Sequence, residues 1–254
     1  MKQTTKKNPK KKMNELKELL SNIWYLDSTN KSWDEISEIH DKLKLPELTG
    51  GVNPGDQRAI YYLIKSLDVK DVLEIGTHVG CSTVSIALSL NGREGAKLTT
   101  VDVRDVNVGN CYNKNDQNRN LKTPKQMIEE IGCSSFVDFV VSDSVEFLNK
   151  DNSKYDFIFL DGDHSYDKVY KELPIAVNRL NEGGVILFHD YFQDYKPLWH
   201  SSTGIIEGPF RAVTQLINEG LKLFVHPCGE LPNHWKCKYE NEFNTSLAVG
   251  VIQE

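Results

Sequence analysis

The sequence predicts an α/β protein built on a doubly wound, mostly parallel sheet of seven strands. Three observations carry that expectation. From Asp71 onward, short apolar runs alternate with segments of helical periodicity. Two of the runs, 157–160 and 185–188, are continuously apolar, as strands covered on both faces require. A third stretch, Val72-Leu73-Glu74-Ile75-Gly76-Thr77-His78-Val79-Gly80-Cys81-Ser82, passes from a strand through a glycine turn directly into a helix. Such joints deliver ligands to the carboxyl edge of a sheet.

Residues 1–12 carry six lysines without an apolar run behind them and read as a disordered basic tail, not a secretory leader. Residues 13–54 read as a helical extension. Leu16, Leu19, Leu20, Ile23 and Trp24 share one side of a helix over 13–26, and Ser32 with Glu35 forms a capping box for a second helix over 33–43. Pro46 and the loop 49–55 interrupt it, and a helix over 56–67 leads to the first strand. The main domain is expected over 55–254. Strands are expected at 71–76, 97–102, 136–142, 155–161, 183–190, 221–226 and 246–252. Helices are expected at 80–91, 124–131, 143–149, 165–180 and 209–219. No helix separates the last two strands, so they are expected to pair as a hairpin. The Asn-rich stretch 107–120 is the one compositionally unusual loop.

The glycine turn narrows the ligand. Dinucleotide sites use G-x-G-x-x-G to seat a pyrophosphate on a helix N-terminus. Here the spacing is Glu-x-Gly-x-x-x-Gly and the middle glycine is missing. Gly76 and Gly80 leave room for close approach of a ligand, Ser82 suits a helix cap, and Glu74 favours a cationic ligand over a phosphate. The segment resembles motif I of class I S-adenosylmethionine-dependent methyltransferases, nearest to small-molecule O-methyltransferases of the catechol type. The resemblance covers about residues 50–254. It implies a Rossmann-like sheet with one antiparallel strand and a cofactor site including Glu74, Gly76, Thr77, His78, Gly80 and Ser82. It also implies ribose binding by Asp102, which lies 26 residues beyond Gly76. It sets Asp143 beside the adenine, a position at which an aspartate can equally cap the following helix.

The second informative pair of segments is Asp161-Gly162-Asp163-His164-Ser165-Tyr166 and His189-Asp190, each ending a buried run. Adjacent parallel strands would set Asp161 and Asp190 side by side, and two carboxylates in one crevice call for a proton or a cation between them. In the resembled O-methyltransferases magnesium is held by carboxylates at these strand ends, which implies Asp161, His189 and Asp190 as ligands. The match is imperfect. The catechol enzyme ends its fifth strand in Asp-Asn, where this chain has Asp190-Tyr191, and His189 is a poorer magnesium ligand than a carboxylate. The alternative is general-base chemistry by His164 or His189, oriented by Asp161 or Asp163. A buried structural role for His189 stays open.

Composition limits the function classes. The chain has 254 residues, 39% of them hydrophobic, and no apolar run long enough to span a membrane. A net charge of −6 argues against a general nucleic-acid surface, and no Asn-Pro-Pro-Tyr or Asp-Pro-Pro-Tyr of amino-methylating enzymes follows the fourth strand. Five dispersed cysteines fit reduced thiols in the cytoplasm. The expected activity is methyl transfer from S-adenosylmethionine to a hydroxyl of a small molecule or glycosyl group. Tyr191, Phe192, Tyr195, Trp199 and His200 offer an acceptor surface or ordinary packing. The N-terminal helices are expected to cover the substrate or to form a homo-oligomer contact. A non-catalytic cofactor-binding protein and a nicotinamide-dependent oxidoreductase are the competing readings.

Overall fold

The computed structural model describes residues 14, 15, 17, 18, 20, 27–45, 50–108, 121–197, 204–229 and 245–253, with the backbone alone for 27–32. The expected tail, the apolar stripe at Leu16, Leu19, Ile23 and Trp24, most of the Asn-rich loop, Trp199 and His200 lie outside the described residues.

The seven expected strands form one sheet. They are β1 (Asp71–Ile75), β2 (Lys97–Asp102), β3 (Val137–Val141), β4 (Tyr155–Leu160), β5 (Leu180–Phe188), β6 (Leu223–Pro227) and β7 (Ala248–Ile252). Their order is β3-β2-β1-β4-β5-β7-β6. Strands β1 to β5 pair in parallel, whereas β7 runs antiparallel to both β5 and β6. The order reverses between β1 and β4, and at such a switch point the carboxyl ends of neighbouring strands open a crevice.

Helices α1 (Asp27–Lys42), α2 (Pro54–Ser66), α3 (Cys81–Leu90), α4 (Pro124–Glu130), α5 (Ser144–Lys150), α6 (Tyr166–Asn178) and α7 (Gly208–Asn218) cover the two faces. Strand alternation divides the core accordingly. Val72, Phe157, Phe159, Val185 and Leu187 pack toward the side of α2 and α3. Leu73, Ile75, Ile158, Leu160, Ile186 and Phe188 pack toward α6 and α7. This two-sided burial explains why 157–160 of β4 and 185–188 of β5 read as unbroken apolar runs.

Three local expectations are corrected. α1 begins at Asp27, so Ser32 lies within the helix and is not its cap. α2 begins at Pro54, not Asp56, because Asn53 caps it by accepting the Asp56 N–H and proline suits a first-turn position that needs no donor. α3 is entered through Gly80 in a left-handed conformation (φ 85°) with no side-chain cap, which puts Ser82 inside the first turn.

The helical extension is part of the main core. Leu20, Ile36, Leu43 and Leu45 join the cluster on the α2–α3 face. Trp33 packs against Tyr61 and Tyr62, with ring centroids 6.2 and 6.1 Å away, and the Arg58 guanidinium lies 5.4 Å from the Trp33 ring. Among the described residues no helix is long and apolar enough to cross a membrane.

Candidate active site

A cavity of about 780 Å³ opens at the carboxyl edge of β1, β2, β4 and β5. Its volume suits a cofactor and a small second ligand together. One end is built from the β1–α3 turn and the end of β2. The other is built from the ends of β4 and β5; residues 50–53 also line the cavity, with the Gly50 carbonyl 3.0 Å from His78 Nδ1 beside the β1–α3 turn.

At the first end, what approaches the glycines is protein. A Cβ on Gly76 (φ 101°) would lie 2.0 Å from the Asp161 carbonyl oxygen, and one on Gly80 would lie 2.9 Å from Pro124. These glycines therefore let the turn fit against β4 and α4. Gly76 and His78 line the cavity beside Asp102. The Asp102 carboxylate accepts the His78 N–H at 2.9 Å and the Arg104 N–H at 2.9 Å, which aims it across the crevice. His78 adopts φ 43°, a left-handed conformation uncommon for a side-chain-bearing residue.

Glu74, Thr77 and Ser82 are buried and do not line the cavity. Glu74 accepts hydrogen bonds from Thr83 and Thr100, both at 2.6 Å. Burial pushes its carboxyl up to about 7, against the donors Ser82, Thr100 and Thr83. Thr77 shares a hydrogen bond with Thr100. These three residues brace the turn from beneath.

Asp143 lines the cavity and also caps α5, accepting the Val145 and Glu146 N–H groups at 3.0 and 3.1 Å. Its other oxygen accepts from Lys168, and that bond, with the Glu146 N–H, holds its carboxyl below the ordinary range. Glu172 lies behind it, buried and bonded by the Ser144 hydroxyl, and burial pushes it up to about 7. Lys168 also lines the cavity; its place four residues from Glu172 reads in sequence only as a helix-surface pair.

At the second end the structure brings together Asp161, His164, His189 and Asp190. His189 Nδ1 lies 2.6 Å from Asp161 Oδ1 and 3.6 Å from Asp190 Oδ2. His164 Nε2 lies 3.7 Å from Asp161 Oδ1 and 3.5 Å from Asp190 Oδ2. Ligand atoms of Asp161, His164 and His189 all fall within 4.8 Å of one another. Asp190 takes φ 50°, which turns its side chain back toward the cluster at a cost in backbone strain. Asp163 is separate: it accepts the Ser165 N–H at 2.8 Å, and this bond lowers its pKa.

One member of the cluster escaped the sequence. Asp56, fully buried in the first turn of α2, lies 3.2 Å from His189 Nε2 through its Oδ2. Ser246 donates its N–H to Asp56 Oδ1 at 2.9 Å and its hydroxyl to Oδ2 at 3.0 Å. In sequence Asp56 follows Asn53-Pro54-Gly55 and looks like an ordinary first-turn acid. Burial pushes the Asp56 carboxyl up despite these donors. Burial opposes the charged form of His189, but Asp161, Asp56 and Asp190 outweigh it and hold the imidazole well above its ordinary pKa.

One carboxylate and two imidazoles, those of Asp161, His164 and His189, converge closely enough to suit a divalent cation, with Asp190 at the edge of the group. His189 Nδ1 is buried and lacks hydrogen-bond geometry to any partner, although Asp161 Oδ1 is 2.6 Å away. A contact this short between a carboxylate and an imidazole holds either a shared proton or, in its place, a cation. The imidazole shifts preference from magnesium toward manganese and its neighbours.

A family described as a methyltransferase domain matches residues 73–191. The chain is 28% identical over 179 residues to caffeoyl-CoA O-methyltransferase 1 of Arabidopsis thaliana, covering 68% of this chain and 59% of that protein. The chain spans between about half and three fifths of the length of the first curated relatives it matches. Among solved structures, the O-methyltransferase TomG of Streptomyces achromogenes, in complex with SAM, aligns with a TM-score of 0.56 at 14% identity, covering 90% of this chain and 91% of that one. The O-methyltransferase of Bacillus cereus, in complex with SAH, aligns with a TM-score of 0.56 at 17% identity, covering 89% and 91%. At these identities the structural likeness is one of fold.

Proposed function

We propose that this chain is a class I S-adenosylmethionine-dependent methyltransferase and that it methylates a hydroxyl of a small molecule or glycosyl group. One observation carries the reading. The cavity joins a motif I turn and Asp102 at one end to the Asp161–His164–His189–Asp190 cluster at the other. A methyl donor and a hydroxyl acceptor need that adjacency, because transfer is an in-line displacement whose rate depends on alignment.

In this reading Gly76 and His78 wall the methionine end, Asp102 accepts from the ribose hydroxyls, and Asp143 stands at the adenine end. Each Asp102 oxygen retains a lone pair after its backbone bonds. Glu74, Thr77, Gly80 and Ser82 act beneath the turn by holding its shape. Asp161, His189 and Asp190 would hold the cation, whose bound state lowers the pKa of a coordinated hydroxyl. His164 is the general base. It lines the cavity with its side chain 32% exposed, whereas both nitrogens of His189 face carboxylates. His164 Nε2 takes the acceptor's proton, and Asp161 and Asp190 stabilise the imidazolium that results. Residues 50–53 line the cavity with Gly50 against His78, so the N-terminal extension contributes wall beside the cofactor turn. The relatives' names support an oxygen acceptor. The acidic crevice and net charge favour a small molecule over nucleic acid. Cys81, Cys133 and Cys228 are buried free thiols, which supports a cytoplasmic setting.

The test is a thermal-shift series followed by turnover. S-adenosylhomocysteine is expected to raise the melting temperature and NAD to leave it unchanged. The opposite pattern overturns the reading in favour of an oxidoreductase. Labelled methyl transfer into a panel of hydroxylated metabolites is expected to fall in EDTA and return with manganese. Cofactor binding without transfer to any acceptor would favour a non-catalytic binding protein.

A further inference from the structure

We propose that Asp56 is a positioning residue: it takes the Nε2 hydrogen of His189 and so turns Nδ1 toward Asp161 and the cavity. The place of this contact in catalysis rests on the methyltransferase reading, while the contact itself rests on geometry.

Both Asp56 oxygens already receive N–H donors. Oδ1 accepts the Ser246 N–H at 2.9 Å, and Oδ2 accepts the Asn53 side-chain amide. An oxygen fixed as an acceptor obliges its next neighbour to bring the hydrogen. That neighbour is His189 Nε2, 3.2 Å from Oδ2. With the Nε2 hydrogen committed to Asp56, Nδ1 is the nitrogen whose hydrogen a ligand in the cavity can replace. Nδ1 is the buried atom without a hydrogen-bond partner, 2.6 Å from Asp161 Oδ1. The Phe159 ring stands edge-on to the imidazole, with centroids 6.1 Å apart, and limits its rotation.

Helix capping does not account for Asp56. Asn53 already caps α2, and a carboxylate with no solvent exposure is costly to bury unless each oxygen is satisfied. Three separate segments, α2, the end of β5 and the entry to β7, converge to satisfy it. A carboxylate orienting a histidine from behind, with the other nitrogen turned toward a ligand, is a recurrent means of fixing tautomer and ring orientation.

The experiment is ¹⁵N-resolved NMR of the histidine side chains of the full chain, with His189→Gln assigning the signal. His189 is expected to carry hydrogen on Nε2, slowly exchanging, in the wild type. In Asp56→Ala and in the isosteric Asp56→Asn, that signal is expected to shift and exchange rapidly. A His189 signal unchanged in either folded variant overturns the proposal. Should both variants fail to fold, the wild type decides, since hydrogen on Nδ1 alone would overturn it. Manganese(II) titration followed by EPR adds a second readout. Affinity is expected to fall about 10- to 100-fold in Asp56→Asn, with S-adenosylhomocysteine affinity within about twofold of wild type. A wild type that binds no manganese yet keeps the protected Nε2–H counts against the cation reading and leaves the Asp56 contact standing.

Discussion

The two ends of the cavity are built in opposite ways. The proposed cofactor end is centred on one continuous stretch, the β1–α3 turn, with Asp102 added from the next strand and Asp143 and Lys168 beyond it. The proposed acceptor end comes from Asp56, the 161–164 segment, the 189–190 pair and Ser246, which are distant in sequence and meet only in the folded sheet. Short-range geometry can be encoded by a spacing such as Glu-x-Gly-x-x-x-Gly. A site assembled by topology leaves no spacing to read, only residue types stranded at the ends of runs.

The comparison can be broken at its shared point. Asp161 belongs to the acceptor end by its side chain and braces the cofactor end by its carbonyl, 2.0 Å from where a Gly76 Cβ would stand. Asp161→Ala keeps that carbonyl and removes only the carboxylate. Turnover is therefore expected to fall about 10³-fold, while S-adenosylhomocysteine still binds; calorimetry and rate measurements on one preparation check both. Gly76→Ala does the reverse. Its left-handed φ and the backbone overlap are expected to cost about 4 kcal/mol of stability, read by urea denaturation, and to impair both ends together. Stability unchanged in that variant would refute the shared brace.

Glu172 sharpens the contrast on the cofactor side. Its carboxyl is raised to about 7 by burial. A raised acid contributes stability that is fully present below its unfolded value of 4.5 and is lost as pH rises through 7. Glu172→Gln is expected to flatten this part of the pH–stability curve by roughly 3 kcal/mol between pH 4.5 and 8, while Glu74 keeps a similar slope in both proteins. A last substitution, Asp102→Ala, is expected to weaken S-adenosylhomocysteine by about 10- to 100-fold. At saturating cofactor it should leave the acceptor's KM unchanged. A change confined to that KM would mean the two ends are not distinct.

Much of the fold was legible because the stretches 157–160 of β4 and 185–188 of β5 are continuously apolar and the helices between strands carry clear periodicity. The hairpin of β6 and β7 followed from the lack of a helix between them, and these strands pair antiparallel as expected. The strand-end cluster was legible because parallel strand ends fix adjacency, although the register continues to set His189, and not Asp190, beside Asp161. What was misread involved context. Ser32 and Ser82 look like caps, but the helix begins earlier in one case and through a left-handed glycine in the other. Glu74 reads as a ligand for a cation, yet strand alternation turns it into the α2–α3 face beneath the turn. Asp56 was invisible because nothing within 130 residues of it along the chain reveals its partner.

The Asp56–Ser246 contact also sets an order of assembly. These residues are 190 apart in sequence, so the carboxylate that backs His189 finds its last donors only when the chain has been extended almost to β7. A nascent chain that has emerged as far as β5 already contains the whole motif I turn, Asp102 and both strand-end clusters. It lacks the strand that seals Asp56. The contacts of the β1–α3 turn thus close over short separations, whereas those that back His189 wait on a pairing across 190 residues, the kind that forms slowly.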